Sequence, residues 1–182
     1  VQPDRTSYRR TFDAYYQGFF EARAQCVVLH EEQPFEKYPV LVVPSLYVAD
    51  DALLERLSQY AANGGHLLLT FRSGYADDFA RIRWHRAPSV LREAVGASYN
   101  EFSNLVTGLA LTSGQADFSI PSDARATGWA DGLQLEGATP LAYYDHPHFG
   151  HFPAVVSKAF GKGRVTYCGT LPNKPLSKAL AQ

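Results

Sequence analysis

The densest concentration of potentially reactive side chains is Asp145-His146-Pro147-His148-Phe149-Gly150-His151, three imidazoles and a carboxylate within seven residues. Nitrogen and oxygen donors of this kind can ligate zinc. The spacing matches no zinc signature, and Pro147 and Gly150 mark a loop where polar residues collect, so no metal is expected from this tract. Gly161-Lys162-Gly163 lacks the G-x-x-x-x-G-K-[ST] spacing of a phosphate cradle, and no G-x-G-x-x-G follows a strand-like run. No cofactor is expected either. Ser73 follows an apolar run without the G-x-S-x-G elbow that exposes a nucleophile, and neither Cys26 nor Cys168 sits on such an elbow beside a base. No catalytic set emerges.

Glycoside chemistry needs two carboxylates flanking the scissile bond. The acidic candidates Glu31, Glu32, Asp77 and Asp78 lie in hydrophilic stretches and read as a solvated face. Trp84, Trp129, Tyr143 and Tyr144 could stack on sugar rings or fill a subunit interface, where aromatic residues are enriched.

The element that must position these residues runs from Tyr38 to Thr70. Tyr38-Pro39-Val40-Leu41-Val42-Val43-Pro44 is an apolar run of strand length, and His66-Leu67-Leu68-Leu69-Thr70 is a second. Between them, Asp50 caps a helix with Leu53, Leu54, Leu57, Tyr60 and Ala61 inward, and Asn63-Gly64-Gly65 stops it. Strand, helix and strand with apolar strands predict a parallel β-α-β unit. Phe71 to Arg86 then lies beyond the carboxyl end of a parallel strand, the edge where open α/β sheets dock ligands or partners.

Upstream, Ser7 is expected to cap a helix whose aromatic stripe (Tyr8, Phe12, Tyr15, Tyr16, Phe19, Phe20) packs on the sheet. Cys26-Val27-Val28-Leu29 reads as a first parallel strand. Downstream, Pro88 to Val95 reads as a short helix closed by Gly96, and Asn100–Phe102, Leu105–Leu111 and Phe118–Ile120 have weak strand character. Trp129-Ala130-Asp131 starts a helical or irregular piece and Thr139–Tyr144 a strand. Pro153–Phe160 and Arg164–Thr170 form a hairpin around the Gly161-Lys162-Gly163 loop, and Leu176–Ala181 forms a last helix. The expected fold is α/β, a mostly parallel flavodoxin-like sheet with an added C-terminal hairpin.

Composition bounds the function classes. With 182 residues, 46% hydrophobic and 19% charged, the chain is expected to form one globular domain with a core over about 7–170. A net charge of −1 marks no nucleic-acid or anionic-membrane partner, and no apolar stretch approaches the roughly 20 residues of a membrane helix. Cys26 and Cys168 read as buried free thiols of a reducing, cytoplasmic compartment. The start at Val1-Gln2-Pro3 without any methionine leads us to expect a piece of a longer, multidomain enzyme.

Several elements in order resemble a known family. They are the Tyr15-Tyr16 helix, Tyr38-Pro39-Val40-Leu41-Val42-Val43-Pro44 with Leu46-Tyr47, and Gly64-Gly65-His66-Leu67-Leu68-Leu69-Thr70 with Arg72-Ser73-Gly74. Pro88, Leu91-Arg92 and Gly96 follow, then Trp129, Gly137-Ala138, Leu141-Ala142-Tyr143-Tyr144 and Pro153-Ala154-Val155-Val156. Phe160-Gly161-Lys162-Gly163-Arg164-Val165, Tyr167 and Gly169-Thr170 close the set. Together they resemble the middle, trimerisation domain of glycoside hydrolase family 42 β-galactosidases. One departure is Ser89, where glycine is expected after the proline.

The resemblance implies a class I glutamine-amidotransferase-like, flavodoxin-like three-layer sandwich without that fold's nucleophile. It further implies that the catalytic glutamates lie in a separate (β/α)8 barrel, with this domain joining subunits into a homotrimer and walling a neighbour's active site. The partners implied are the chain's own catalytic barrel and the neighbouring subunits. Because Phe71, Arg72, Tyr75 and Trp84 follow the second strand at its carboxyl edge, they are the expected contacts with another subunit or barrel. Two rival classes stand beside this one: a carbohydrate-binding module using the Trp and Tyr residues, and a small amidotransferase-like hydrolase.

Overall fold

The computed structural model describes residues 6–115 and 117–182. In chain order they form α1 (Ser7–Glu21), β1 (Val40–Val43), α2 (Asp51–Ala62), β2 (His66–Thr70), and a 3-10 turn over Ser89–Leu91 that runs into α3 (Arg92–Val95). The strands β3 (Ala97–Ser98), β4 (Phe102–Leu109), β5 (Leu111–Ser113), β6 (Ala126–Asp131), β7 (Gln134–Leu135) and β8 (Thr139–Tyr144) follow. Last come β9 (Pro153–Phe160), β10 (Gly163–Cys168), β11 (Thr170–Pro172) and α4 (Lys174–Leu180).

The β1-α2-β2 unit forms as its pattern predicts. β1 and β2 pair in parallel from Val40 opposite His66 to Val43 opposite Leu69. The Asp50 carboxylate accepts the Leu53 backbone N–H at 2.7 Å, satisfying an orphan donor in the first turn of α2. Leu54, Leu57, Tyr60 and Ala61 are buried, with Leu53 partly so. The stop after α2 needs its glycines. Gly64 takes φ +120°, and a Cβ at Gly65 would sit 2.2 Å from the Tyr60 ring.

Beyond this unit the sheet is not the mostly parallel one expected. Among the described residues its order is β1-β2-β10-β9-β8-β5. Only β1/β2 and β2/β10 are parallel, while β10/β9, β9/β8 and β8/β5 are antiparallel. The flavodoxin-like, amidotransferase-like three-layer sandwich is therefore the wrong class; this is a mixed sheet. Chain connectivity gives the reason. A parallel pair needs a crossover of a dozen residues or more, whereas Gly161-Lys162 turns β9 directly into β10 and forces antiparallel pairing. The hairpin is not appended at an edge either, because β10 lies between β2 and β9.

Further expectations change. Cys26–Leu29 forms no ladder with β1; it runs outside the sheet with Val27 and Val28 exposed, and Cys26 is exposed rather than buried. The α1 stripe does not pack on the sheet as a whole. Tyr15 is buried, but Tyr8, Tyr16 and Phe20 are exposed, and the stripe lines a groove of about 450 Å³ shared with Cys26–Leu29 and β1. Gly18 is where α1 meets α4, since a Cβ there would lie 2.0 Å from Ser177 Oγ. Ser7 opens that helix and Thr6 holds the cap position. Lastly, Ala126–Asp131 is a strand, flanked by β11 and β4 in a three-stranded antiparallel sheet.

Alternation along β10 separates two cores. Val165 and Tyr167 join the larger cluster with α2 and α3, whereas Cys168 joins the cluster between the two sheets with Ala130, Ala142 and Val155.

Ser89 occupies a left-handed backbone, φ +59°, which explains why glycine is the residue expected there. We expect Ser89→Gly to raise stability by about 0.5–1 kcal/mol, relief of left-handed strain exceeding the added entropy of glycine. Urea unfolding midpoints check this, and a destabilised variant would show that the serine side chain outweighs the backbone term.

Candidate functional site

The residues that looked most reactive in sequence are committed to structure. His146 Nδ1 accepts the backbone N–H groups of His148 and Phe149 at 3.2 and 3.1 Å, and the His151 ring rests 3.9 Å from that of Phe152. Among the described residues no three His, Cys, Asp or Glu side chains gather around a metal-sized site. Ser73 is buried and donates its hydroxyl to the Thr70 carbonyl at 2.7 Å. Burial pushes the Cys168 thiol up to about 11, so it stays protonated and points at the Thr170 carbonyl. Asp77 accepts the N–H groups of Phe79 and Arg81 and the Arg81 side chain, holding a turn. Glu31, Glu32 and Asp78 are exposed. Tyr144 is buried with its hydroxyl 3.1 Å from the Gly169 carbonyl, and Tyr143 is half-buried on β8.

The carboxyl edge of β2 is different. There the chain leaves the sheet through Phe71 and turns at Arg72, whose φ of +61° is unusual for a side chain of this size. Its guanidinium carbon lies 4.5 Å from the Tyr47 ring centre, 5.5 Å from Tyr75 and 4.8 Å from Trp129. Cation–π attraction on three sides fixes it. Tyr47 and Tyr75 stack on one another at 5.3 Å, and Trp129 stacks with Phe102 at 4.9 Å and with Phe71 at 6.3 Å. Phe71 is therefore the buried back of the cluster, 9% exposed, while Tyr75 is half-buried within it.

Trp84 is at the opposite extreme, fully exposed at 101%. Its loop is nonetheless anchored. The Arg83 N–H donates to the Tyr75 carbonyl at 3.1 Å, and the Arg83 side chain pairs with Asp51 and donates to the Ala49 carbonyl. Phe79 and Ile82 are exposed on the same loop. The structure thus gathers Phe71, Arg72 and Tyr75 into one cluster and sets Trp84 on the loop that leads away from it.

Beneath Arg72 lies a residue that the sequence reading missed. Asp131, wholly buried, accepts the Trp129 indole N–H and the Tyr167 hydroxyl, each at 2.8 Å. Burial pushes its carboxyl up to about 7, against the downward pull of those hydrogen bonds and the Arg72 charge. Trp129 and Asp131 are two residues apart on β6, so they share a face. Reading Trp129-Ala130-Asp131 as helical or irregular hides that alternation.

The edge of this mixed α/β domain thus carries a guanidinium held among aromatic rings. The family follows from comparison. Residues 1–182 match the family model described as the beta-galactosidase trimerisation domain, and the chain belongs to that family. Beta-galactosidase BgaB of Geobacillus sp. (strain Y412MC61) is 31% identical over 170 residues, which are 93% of this chain and 25% of that protein. Beta-galactosidase Bga of Halorubrum lacusprofundi is also 31% identical, over 93% of this chain and 25% of its own length. The chain spans about a quarter of the length of these relatives.

Among solved structures, the polyextremophilic β-galactosidase of H. lacusprofundi superposes with a TM-score of 0.87 at 29% identity, over 98% of this chain and 26% of that one. The β-galactosidase from Bacillus circulans sp. alkalophilus superposes at 0.90 with 22% identity, over 99% of this chain and 27% of that one, a likeness of fold.

Asp131 gives a pH prediction with a definite sign. Its folded-state pKa lies above the ordinary carboxylate value, so the folded chain holds this proton more tightly than the unfolded one. Its contribution is fully present below about pH 4, falls as pH rises to about 7 and is level above, a swing of no more than about 4 kcal/mol. Asp131→Asn stays neutral throughout and is expected to remove that fall, measured as urea unfolding at several pH values between 4 and 8. An unchanged slope would place the titration elsewhere.

Proposed function

We propose that this chain is the assembly domain of a longer β-galactosidase that hydrolyses terminal β-D-galactosides. It joins subunits into a homotrimer and docks against the enzyme's own catalytic barrel through the carboxyl edge of β2. The observation that carries this reading is the pairing of a held Arg72 with a fully exposed Trp84 on one anchored excursion. Exposed tryptophan beside arginine and tyrosine is the composition of interface hot spots. Family membership and a chain spanning a quarter of its β-galactosidase relatives support the same reading, with catalysis assigned to the remainder of the enzyme. Two cysteines that remain free thiols, one of them exposed, agree with a reducing, cytoplasmic setting.

The rival classes have less support. A hydrolase needs an activated nucleophile, whereas Ser73 and Cys168 are buried and hydrogen-bonded to carbonyls. A sugar platform needs several free ring faces together, whereas Trp129 stacks with both Phe71 and Phe102, Tyr144 is buried, Tyr143 is half-buried, and Trp84 alone of the four is fully exposed.

Sedimentation equilibrium tests the proposal. The chain is expected to approach three times 20.1 kDa as its concentration rises. Trp84→Ala is expected to raise the dissociation constant at least about 30-fold, the equivalent of a 2 kcal/mol hot spot, with unfolding unchanged because the side chain is wholly exposed. A wild-type chain monomeric at every concentration, or a variant that associates equally well, would overturn it.

A further inference from the structure

Two buried donors on this excursion, Arg72 Nε and Arg83 Nε, lack a hydrogen-bond partner among the described residues; Arg83 is nonetheless paired with Asp51 through Nη1, whereas the described residues offer the Arg72 guanidinium no ion pair. Arg56 likewise pairs with Glu36 and Arg92 with Glu136. Asp131, the carboxylate that feels the Arg72 charge, spends its acceptor sites on Trp129 and Tyr167 rather than on the guanidinium. Well below about pH 7 burial keeps Asp131 protonated, so there it offsets little of the arginine's charge.

We propose that Arg72 is the receptor for an aspartate or glutamate side chain of the neighbouring polypeptide seated on this face, a reading that rests on the assembly role above. A guanidinium presents parallel N–H donors in a planar fork that fits a carboxylate, and leaving it unpaired in a desolvated interface is costly. The fork is set before binding. Tyr47, Tyr75 and Trp129 hold its plane, and Asp131 holds Trp129 through the indole N–H. A neutral sugar is a poorer occupant because Tyr47 and Tyr75 stack on one another and Trp129 stacks on Phe102. A small free acid would leave Phe102 and, on the anchored loop, Phe79, Ile82 and Trp84 exposed, whereas a protein surface covers them.

The test uses the chain itself and acetate as the probe, followed in proton–nitrogen spectra through the Arg72 Nε–H and the Trp129 indole N–H. The indole is assigned with Trp84→Phe, which leaves Trp129 as the sole tryptophan. Acetate is expected to move both resonances saturably, while chloride at equal ionic strength and galactose do not. Arg72→Gln is expected to weaken the response of Trp129 at least tenfold. If that variant does not fold, Arg72→Lys keeps the charge without the fork and is expected to bind acetate severalfold more weakly. In a chain already associated, acetate competes and lowers the mass where chloride does not.

Acetate acting no more strongly than chloride, galactose moving the signals, or Arg72→Lys binding as well as wild type would each overturn the proposal. The assembly reading fails separately. A chain that takes acetate but never associates keeps the carboxylate receptor and loses the assembly role, whereas association that needs Trp84 and ignores acetate keeps the interface and overturns the receptor.

Discussion

A single buried carboxylate ties this molecule together. Asp131 sits where three parts of the chain meet: β6, which supplies it with Trp129; β10, which supplies Tyr167; and the turn after β2, whose Arg72 charge favours the ionised carboxylate. Removing a charge from water is unfavourable unless donors replace the lost hydration. Here two side-chain donors converge on one group, and burial still raises its pKa to about 7. The carboxylate joins the main sheet to the β11-β6-β4 sheet by polar contacts, beside an apolar core between them made largely of small residues such as Ala126, Ala130, Ala142 and Ala154.

The edge site follows from that junction. Once Asp131 fixes Trp129, the guanidinium rests on Trp129 and on the Tyr47–Tyr75 stack. Tyr47 belongs to the segment after β1, and Gly74 and Ala76 donate to the Leu46 and Tyr47 carbonyls, so the segments that follow β1 and β2 position one wall of the cluster. Arg83 then ties the outgoing loop back to Ala49 and Asp51 at the start of α2. The exposed Trp84 is therefore carried by a fastened loop, which lowers the entropy lost when a partner covers it.

What could be read from the sequence was what local pattern determines. The β1-α2-β2 unit announces itself through Val40–Val43, the Asp50 cap and the Gly64-Gly65 stop, and the β9–β10 hairpin through Gly161. The carboxyl-edge position of Phe71, Arg72 and Tyr75 followed from that unit. What depends on distant pairing was hidden. β4 pairs with β6 and β6 with β11, across separations that no local window spans, so the Trp129–Asp131 face and its Tyr167 partner did not emerge. Cys26–Leu29 has the composition of a strand but no ladder with β1, and the α1 stripe has helical spacing without a sheet beneath most of it. Composition marks a residue as fit for burial, and only the tertiary neighbours decide whether it is buried.

Two apolar surfaces could seat a partner: the Arg72–Trp84 edge, and the groove between α1, Cys26–Leu29 and β1. Amide hydrogen exchange, compared between dilute and concentrated chain, separates them. Assembly through the Arg72 edge predicts that exchange slows with concentration across Phe71–Arg86 and around Phe102, with the α1 groove unchanged. Protection confined to α1 and Cys26–Leu29 would contradict the account and move the interface to the α1 groove.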